Sequence, residues 1–119
     1  MSTTISGTNG VTFPDSTSMQ TGQQACKAWV NFNGTGTVAI RAGYNVSSIT
    51  DNATGTYTVN FTVDMSDNNY ATCVTGNDGN PATTFQASFN QTPSAVKVLV
   101  FYSGSAYDTA VVSAAIFSN

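Results

Sequence analysis

Apolar and polar side chains alternate along residues 27–63, and glycine and asparagine interrupt the alternation at short intervals. Successive side chains of a β-strand point to opposite faces, so a period of two residues is typical of half-buried strands. The clearest run is residues 56–63, in which Tyr57, Val59, Phe61 and Val63 share one face while Thr and Asn occupy the other. The pattern predicts a sheet that packs one face against a core.

The first two runs, residues 27–33 and 37–41, predict a β-hairpin that turns at the glycines between them. The same alternation predicts that Val38 and Ile40 point inward. If Asn33 faces Thr37, the register places Trp29 across from Arg41 on the outer face. Such a pair would contribute about 0.5 to 1 kcal/mol as a cation–π contact.

Two later runs, residues 95–102 and 110–117, are apolar on both faces. A pattern of this kind is typical of strands that are covered on two sides. A sandwich covers only one face of each sheet, so we expect the second cover to be a neighbouring subunit. The candidate subunit-interface residues are Leu99, Phe101 and Val111.

The composition favours an all-β fold. The 119 residues include one leucine and no glutamate, so residues that favour helix are scarce. Turn signals recur roughly every 8 to 12 residues, as they do in sandwiches and jelly rolls. We predict one antiparallel domain over residues 26–119, a β-sandwich or jelly-roll-like fold of about seven or eight short strands.

Residues 1–25 consist mostly of Ser, Thr, Gly and Gln, and we expect them to form an extended N-terminal arm. An ordered polar arm needs a surface to lie on, and we expect that surface to belong to another chain. The larger apolar side chains of the arm are the candidate anchoring residues, namely Ile5, Val11, Phe13 and Met19.

Charged residues make up 8% of the chain, and the formal net charge is −3. In ordinary soluble domains roughly a quarter of the residues are charged, so the solubility of this chain must depend on hydroxyl and amide side chains. The cationic side chains are Lys27, Arg41 and Lys97. Phosphate backbones and anionic lipids are bound by clustered Lys and Arg, so neither nucleic acid nor membrane is an expected partner.

The usual groups of catalysis are scarce, because the chain has no His and no Glu and its carboxylate side chains are six aspartates. Asp51, Asp67 and Asp78 stand beside Asn or Gly, where aspartate serves turns. We therefore expect no enzyme activity and no cofactor. Oxygens of Asn77, Asp78 and Asn80 could approach a calcium ion, but the twelve-residue loop that ends in Glu is missing, and no metal site is predicted.

Sugar binding is a better prospect than catalysis. Aromatic rings flanked by Asn and Thr suit neutral glycans, although rings of this kind also serve cores and interfaces. The available rings are those of Trp29, Tyr44, Tyr70, Tyr102 and Tyr107. The candidate surface or glycan contacts are Trp29, Arg41, Tyr70 and Tyr107.

Cys26 and Cys73 are the two cysteines of the chain. A disulfide between them is one interpretation, and two small buried apolar side chains are the other. We favour the second, because a chain of this length can fold without covalent staples.

A family resemblance is carried by residues 26–71, which read CKAWVNFNGTGTVAIRAGYNVSSITDNATGTYTVNFTVDMSDNNYA. This stretch resembles the C-terminal knob domains of tail-fibre and related virion proteins of tailed phages, especially those of cyanobacterial and marine phages. Residues 10–25, which read GVTFPDSTSMQTGQQA, are similar to the connector that precedes such knobs. The resemblance implies a trimeric, non-enzymatic β-sandwich on a virion, assembled in a bacterial cytoplasm that keeps cysteines reduced.

Two functions remain open at this point. In the first, the chain is a capsid decoration or cement protein, a homotrimeric knob whose arm clamps the major capsid protein. In the second, it is the receptor-binding tip on a tail-fibre shaft, and its loops hold a host polysaccharide.

Overall fold

Strands account for all of the regular structure in the described part of the chain, which confirms the predicted all-β class. The computed structural model describes residues 4–7, 10–16, 18–19, 25–77 and 84–118. The strands are β1 (Thr4–Ser6), β2 (Gly10–Thr12), β3 (Ser18–Met19), β4 (Cys26–Asn33), β5 (Ala39–Tyr44), β6 (Val46–Ala53), β7 (Thr56–Phe61), β8 (Ala71–Asn77), β9 (Thr84–Thr92), β10 (Ala95–Tyr102), β11 (Ser105–Ala106) and β12 (Val111–Phe117).

The eight longer strands form two antiparallel sheets. One sheet has four strands in the order β5-β4-β12-β8. The other has the order β11-β10-β7-β6, and β9 pairs with β10 as well. This arrangement confirms the predicted β-sandwich, and with β11 its two sheets contain nine strands, slightly more than the seven or eight predicted.

Side chains from both sheets fill one core. The ring of Phe32 on β4 meets the ring of Tyr57 on β7 edge to face, with centroids 5.2 Å apart. Val96, Val98 and Val100 on β10 are fully buried, and burial of a side chain of this size stabilises the fold by about 1.5 to 3 kcal/mol. The predicted inner face of residues 56–63 is confirmed for Tyr57, Val59 and Phe61, whereas Val63 is 68% exposed because β7 ends at Phe61.

A β-bulge interrupts the pairing of β4 with β5. Asn31 pairs with Ala42, whereas the next residue, Phe32, pairs with Ile40. Arg41 is thus the additional residue on β5, and it has no partner in the ladder. The bulge changes the register of every residue beyond it.

The predicted Trp29–Arg41 pair is wrong, because Asn33 pairs with Ala39 and not with Thr37, and the bulge then shifts the register by one more residue. Trp29 pairs with Tyr44, and the guanidinium of Arg41 donates a 2.6 Å hydrogen bond to the carbonyl of Ala110. Ile40 pairs with the buried Phe32 and so shares its inner face, as predicted, but it remains 39% exposed because β5 is the edge strand of its sheet.

A hydrogen-bond network closes one end of the sandwich. The buried hydroxyl of Tyr57 lies 2.8 Å from the carbonyl oxygen of Gly34 and 2.9 Å from the carboxylate of Asp108. The same carboxylate oxygen accepts a 2.7 Å bond from the amide of Gly55. A Cβ atom on Gly34 would lie 2.5 Å from the Tyr57 hydroxyl, so only glycine fits there. The Asp108 carboxylate therefore links the buried hydroxyl of Tyr57 to the backbone of the turn at Gly55.

The N-terminal segment folds into a separate small sheet in the order β1-β2-β3. Its register places Val11 opposite Ile5 on one side and opposite Met19 on the other. Ile5 is 83% exposed, Phe13 is exposed and Val11 is half-buried. Three of the four predicted anchoring residues thus share one row, an arrangement that the sequence pattern did not predict.

Cys26 and Cys73 are both free thiols. Cys26 lies on β4 opposite Phe117, and Cys73 lies on β8 opposite Ala115. Because β12 runs between β4 and β8, the two cysteines are two strand spacings apart, about 9 to 10 Å, which is too far for a disulfide. Cys26 donates a 3.0 Å bond to the carbonyl of Ala28.

Candidate functional site

The outer face of the four-stranded sheet exposes a patch of apolar side chains. Inward residues of β12 are buried, so Val111, Ala115 and Phe117 point outward, and both Val111 and Phe117 are exposed. Trp29 on β4 lies opposite Ala115, and Cys73 on β8 lies opposite Ala115 on the other side. We call these five residues the apolar face.

A depression of about 390 Å³ lies in the middle of the apolar face. It forms because the small side chains of Cys73, Ser113 and Ala115 adjoin the large ring of Trp29. Asn31 is held against it by a 2.9 Å hydrogen bond to Ser113. No charged residue lines this depression.

Trp29 and Tyr44 form a cross-strand aromatic pair beside the depression. The tryptophan is 41% exposed and the tyrosine is 58% exposed, whereas rings of this size are usually much better covered. Directly opposite residues hold their Cβ atoms about 4.5 to 5.5 Å apart, so the two exposed side chains leave the same face of the sheet as neighbours. Tyr44 also lines a second cavity, at the end of the sandwich.

A cleft of about 640 Å³ opens at the end of the sandwich next to Tyr44. Its walls come from the four-stranded sheet, from the corner at Asn45 and from the segment that follows β7. The cleft is lined by Lys27, Tyr44, Asn45, Thr62, Val63, Asp64, Met65 and Ser66. Of these, Met65 is buried in the core, while Val63 is among the most exposed apolar residues of the described chain.

Asn45 builds this cleft by turning the chain from one sheet into the other. Its backbone is left-handed, with φ of 56°, a conformation that asparagine adopts more readily than most residues. Its side-chain amide donates to the carbonyls of Lys27 at 3.1 Å and Val63 at 3.0 Å. Its side-chain oxygen accepts a 2.7 Å bond from the amide of Val63. One side chain therefore fixes both walls.

The polar groups of the cleft include one cation and one carboxylate, those of Lys27 and Asp64. Among the described residues, neither side chain takes part in a salt bridge or a hydrogen bond to another side chain. The hydroxyls of Thr62 and Ser66 lie on the same lining. The cleft combines an apolar ring with donors and acceptors, which is the usual composition of a small-ligand site.

The structure distributes the predicted interface residues over two faces. Val111 belongs to the apolar face of the four-stranded sheet. Leu99 and Phe101 lie on the outer face of the other sheet, where each is half-buried within the single chain. Leu99 is flanked by Thr56 on β7 and Ala87 on β9, so strand neighbours supply part of its cover. The three residues do not form one patch.

Tyr70 is not at the surface, which corrects its assignment as a glycan contact. It is 6% exposed, and its ring meets that of Phe61 edge to face at 5.8 Å. Its hydroxyl lies 2.9 Å from the carbonyls of both Thr92 and Ala95. Tyr70 therefore closes the β9–β10 turn from within the core.

Tyr107 is exposed but lies apart from the aromatic pair. Its ring packs against Tyr102, with centroids 5.4 Å apart, and its amide donates to Val100. This places Tyr107 at the Gly55 end of β7, whereas the Tyr44 cleft lies at the opposite end. Of the predicted glycan contacts, the structure brings only Trp29 close to the cleft.

Sequence reasoning missed Asn45, Val63 and Asp64 as members of a site. The available signal in the sequence was Asn45 itself, because asparagine adopts the left-handed backbone conformation seen at this corner more readily than most residues. Nothing in the local pattern indicates that Lys27 reaches the same corner, because it lies far away in sequence.

The aspartates that the structure describes serve structural roles where their bonds are seen. Asp67 accepts a 2.8 Å bond from the amide of Asn69, which confirms turn duty, and Asp51 lies in β6 and not in the predicted turn. In the described ranges, no group of three metal-ligating side chains comes together. Asp78 and Asn80 of the suggested calcium loop lie outside the described residues.

Comparison with family models, with curated proteins and with solved structures found no match. Within the described ranges, no helix is long and apolar enough to cross a bilayer.

Proposed function

We propose that this chain is a non-enzymatic structural protein of a bacteriophage virion, a surface knob that assembles with sister copies and decorates the capsid. The observation that carries the proposal is the apolar face, where Trp29, Val111 and Phe117 are exposed around an uncharged depression. The β-sandwich fold agrees with the expected knob architecture.

Burial of the apolar face gives the driving force for assembly. Exposed apolar surface rimmed by polar residues marks interaction sites, and each square ångström removed from water contributes about 25 cal/mol. An aromatic anchor beside a cavity is typical of the best-packed part of an interface. Trp29 next to the depression has this form, and in a homotrimer a ring from one copy would fill the depression of the next.

The absence of charge on this depression makes it compatible with a second copy of itself. Two identical charged patches would repel, whereas two neutral patches approach without that penalty. The arm would add capsid anchoring, because Ile5 and Phe13 are exposed and Val11 shares a row with Ile5. The major capsid protein is the partner proposed for that segment.

Substitution at the centre of each sheet face tests the assembly. Ala115→Arg would place a charge on the apolar face, and sedimentation equilibrium should show a shift from trimer to monomer. Ala87→Arg is the matched control, because Ala87 points outward from the other sheet beside Leu99. A monomeric parent protein at every concentration would overturn the assembly, and dissociation by Ala87→Arg alone would move the interface to the other face.

Particle experiments test the decoration role. Deletion of residues 1–25 should leave a folded knob that no longer attaches to capsids. Counting the chain on purified particles separates the two functions, because hundreds of copies on the head fit decoration and a few at the tail fit a receptor tip. Unchanged attachment after the deletion would refute anchoring by the arm.

A receptor-binding tip of a tail fibre is the second candidate function. The observation that favours it is the cleft beside Tyr44, which combines a 58% exposed ring with Lys27, Asp64 and hydroxyl groups. Host cell-surface polysaccharide is the proposed ligand in that case. Loss of adsorption to host cells when the cleft is altered would distinguish this function from decoration.

A further inference from the structure

We infer that the cleft beside Tyr44 is a binding site for a neutral saccharide of two or three pyranose rings. The inference gives the ligand chemistry and the location of the second candidate function and does not depend on self-association. Its volume of about 640 Å³ falls in the range of about 300 to 1,000 Å³ that small-ligand sites occupy.

Tyr44 supplies the stacking surface. More than half of the side chain is open to solvent, and β5 is an edge strand, so one approach to the ring is free of neighbouring strands. Aromatic rings bury large apolar areas at low conformational cost, and the C–H face of a pyranose is the apolar surface that a saccharide can offer. Exposed Val63 extends this apolar wall.

Lys27 and Asp64 supply the polar contacts. A carboxylate accepts hydrogen bonds from sugar hydroxyls, and an ammonium group donates to hydroxyl or ring oxygens. Because the cleft holds one charge of each sign, its net charge is zero, which favours a neutral saccharide over an acidic one. Thr62 and Ser66 add hydroxyls that donate and accept.

The cleft is formed before any ligand binds. Asn45 joins both walls through its bonds to Lys27 and Val63, and the amide of Met65 donates a 2.8 Å bond to the carbonyl of Pro93. Met65 is itself buried in the core, which fixes the base of the cleft. Preorganised walls reduce the ordering cost of binding, and weak saccharide ligands depend on that reduction.

The single tryptophan of the chain provides the readout. Trp29 lies opposite Tyr44, so a saccharide stacked on the tyrosine will change the emission of Trp29. Maltotriose, cellotriose and triacetylchitotriose would be titrated at millimolar concentration, with a sialylated trisaccharide as the anionic comparison. We expect saturable binding of at least one neutral trisaccharide.

Variants identify the cleft as the site. Tyr44→Ala should weaken binding at least about tenfold, and Asp64→Asn should weaken it several-fold. Tyr107→Ala is the matched control, because its ring has comparable exposure at the opposite end of the sandwich, and it should leave affinity unchanged. Unfolding midpoints in urea establish that each variant is folded.

Two results would overturn the inference. One is the failure of all three neutral trisaccharides to bind at millimolar concentration, or binding of the sialylated one alone. The other is binding that survives both Tyr44→Ala and Asp64→Asn. Asp64 lies outside the apolar face, so sedimentation of Asp64→Asn should match that of the parent, and a loss of saccharide binding there leaves the assembly proposal unaffected.

Discussion

Asn45 and Val63 hold each other through a reciprocal pair of hydrogen bonds. The amide of Val63 donates to the side-chain oxygen of Asn45 at 2.7 Å, and the side-chain amide of Asn45 donates back to the carbonyl of Val63 at 3.0 Å. Asparagine thereby imitates a strand neighbour at the corner between the two sheets. The shape of the Tyr44 cleft depends on this pair.

Replacement of this asparagine should therefore be costly. Asn45→Ala removes three side-chain hydrogen bonds. It also places alanine, which adopts the left-handed backbone conformation less readily than asparagine, at a position with φ of 56°. We expect the free energy of unfolding to fall by about 2 to 4 kcal/mol, measured by urea denaturation. Asn45→Gly tolerates the backbone conformation and should lose less. Equal stability of Asn45→Ala and the parent protein would contradict the corner role.

Tyr57→Phe tests the network at the other end of the sandwich. The variant keeps the ring packed on Phe32 and removes only the hydroxyl between Gly34 and Asp108. Because the Gly34 carbonyl and the Asp108 carboxylate lose the hydroxyl that they share, we expect the free energy of unfolding to fall by about 1 to 3 kcal/mol. Tyr44→Phe is the control, since its exposed hydroxyl should change stability by less than about 0.5 kcal/mol.

Stability should fall at alkaline pH. Burial, followed by the hydrogen bond to Asp108, raises the pKa of Tyr57 well above 10.0, and burial raises the pKa of Tyr70. The folded chain therefore holds more protons than the unfolded chain above pH 10. Stability is complete below that pH and decreases as the pH rises further, by up to about 1.4 kcal/mol per pH unit for each phenol.

Urea midpoints measured across this alkaline range check the prediction. The double variant Tyr57→Phe, Tyr70→Phe should start from lower stability and show a flatter decrease above pH 10. The same slope in the parent and the double variant would rule out these two phenols as its cause.

Thiol chemistry should distinguish the two cysteines. Cys73 is exposed in the depression, whereas Cys26 is half-buried and bonds to the carbonyl of Ala28. In the folded, dilute protein we expect fast modification of Cys73 by a thiol reagent and slow modification of Cys26, without an intramolecular disulfide. Assembly through the apolar face should protect Cys73. Equal protection in the Ala115→Arg variant at high concentration would argue against that face.

The alternation of β7 was sufficient to predict its inner face, because both faces of a strand differ strongly in polarity when one packs on a core. The same reasoning predicted the sandwich. It also placed Val38 against the core, but it did not predict that Ile40, on the same face as Phe32, would stay 39% exposed on an edge strand. Period alone does not distinguish edge strands from central ones.

The site itself was less predictable, because its members meet only through long-range contacts. Trp29 was recognised as a surface ring, but its true neighbour, Tyr44, follows from a longer turn and a bulge that no local signal marks. Tyr70 stands next to polar residues in the sequence, and the core reaches it only because β9 and β10 bring Thr92 and Ala95 to its hydroxyl. Register and turn geometry, not composition, decided these placements.

The additional residue at Arg41 bears on what crowding does to this molecule. An edge strand with evenly spaced amide and carbonyl groups invites the edges of other molecules to extend it into a fibre, above all where many copies are packed side by side. The bulge at Arg41 breaks the even spacing of amide and carbonyl groups along this edge, and the guanidinium of Arg41 donates to the carbonyl of Ala110, which directly precedes β12. Many copies of the chain at high local concentration should therefore be less prone to join through their β5 edges into fibres.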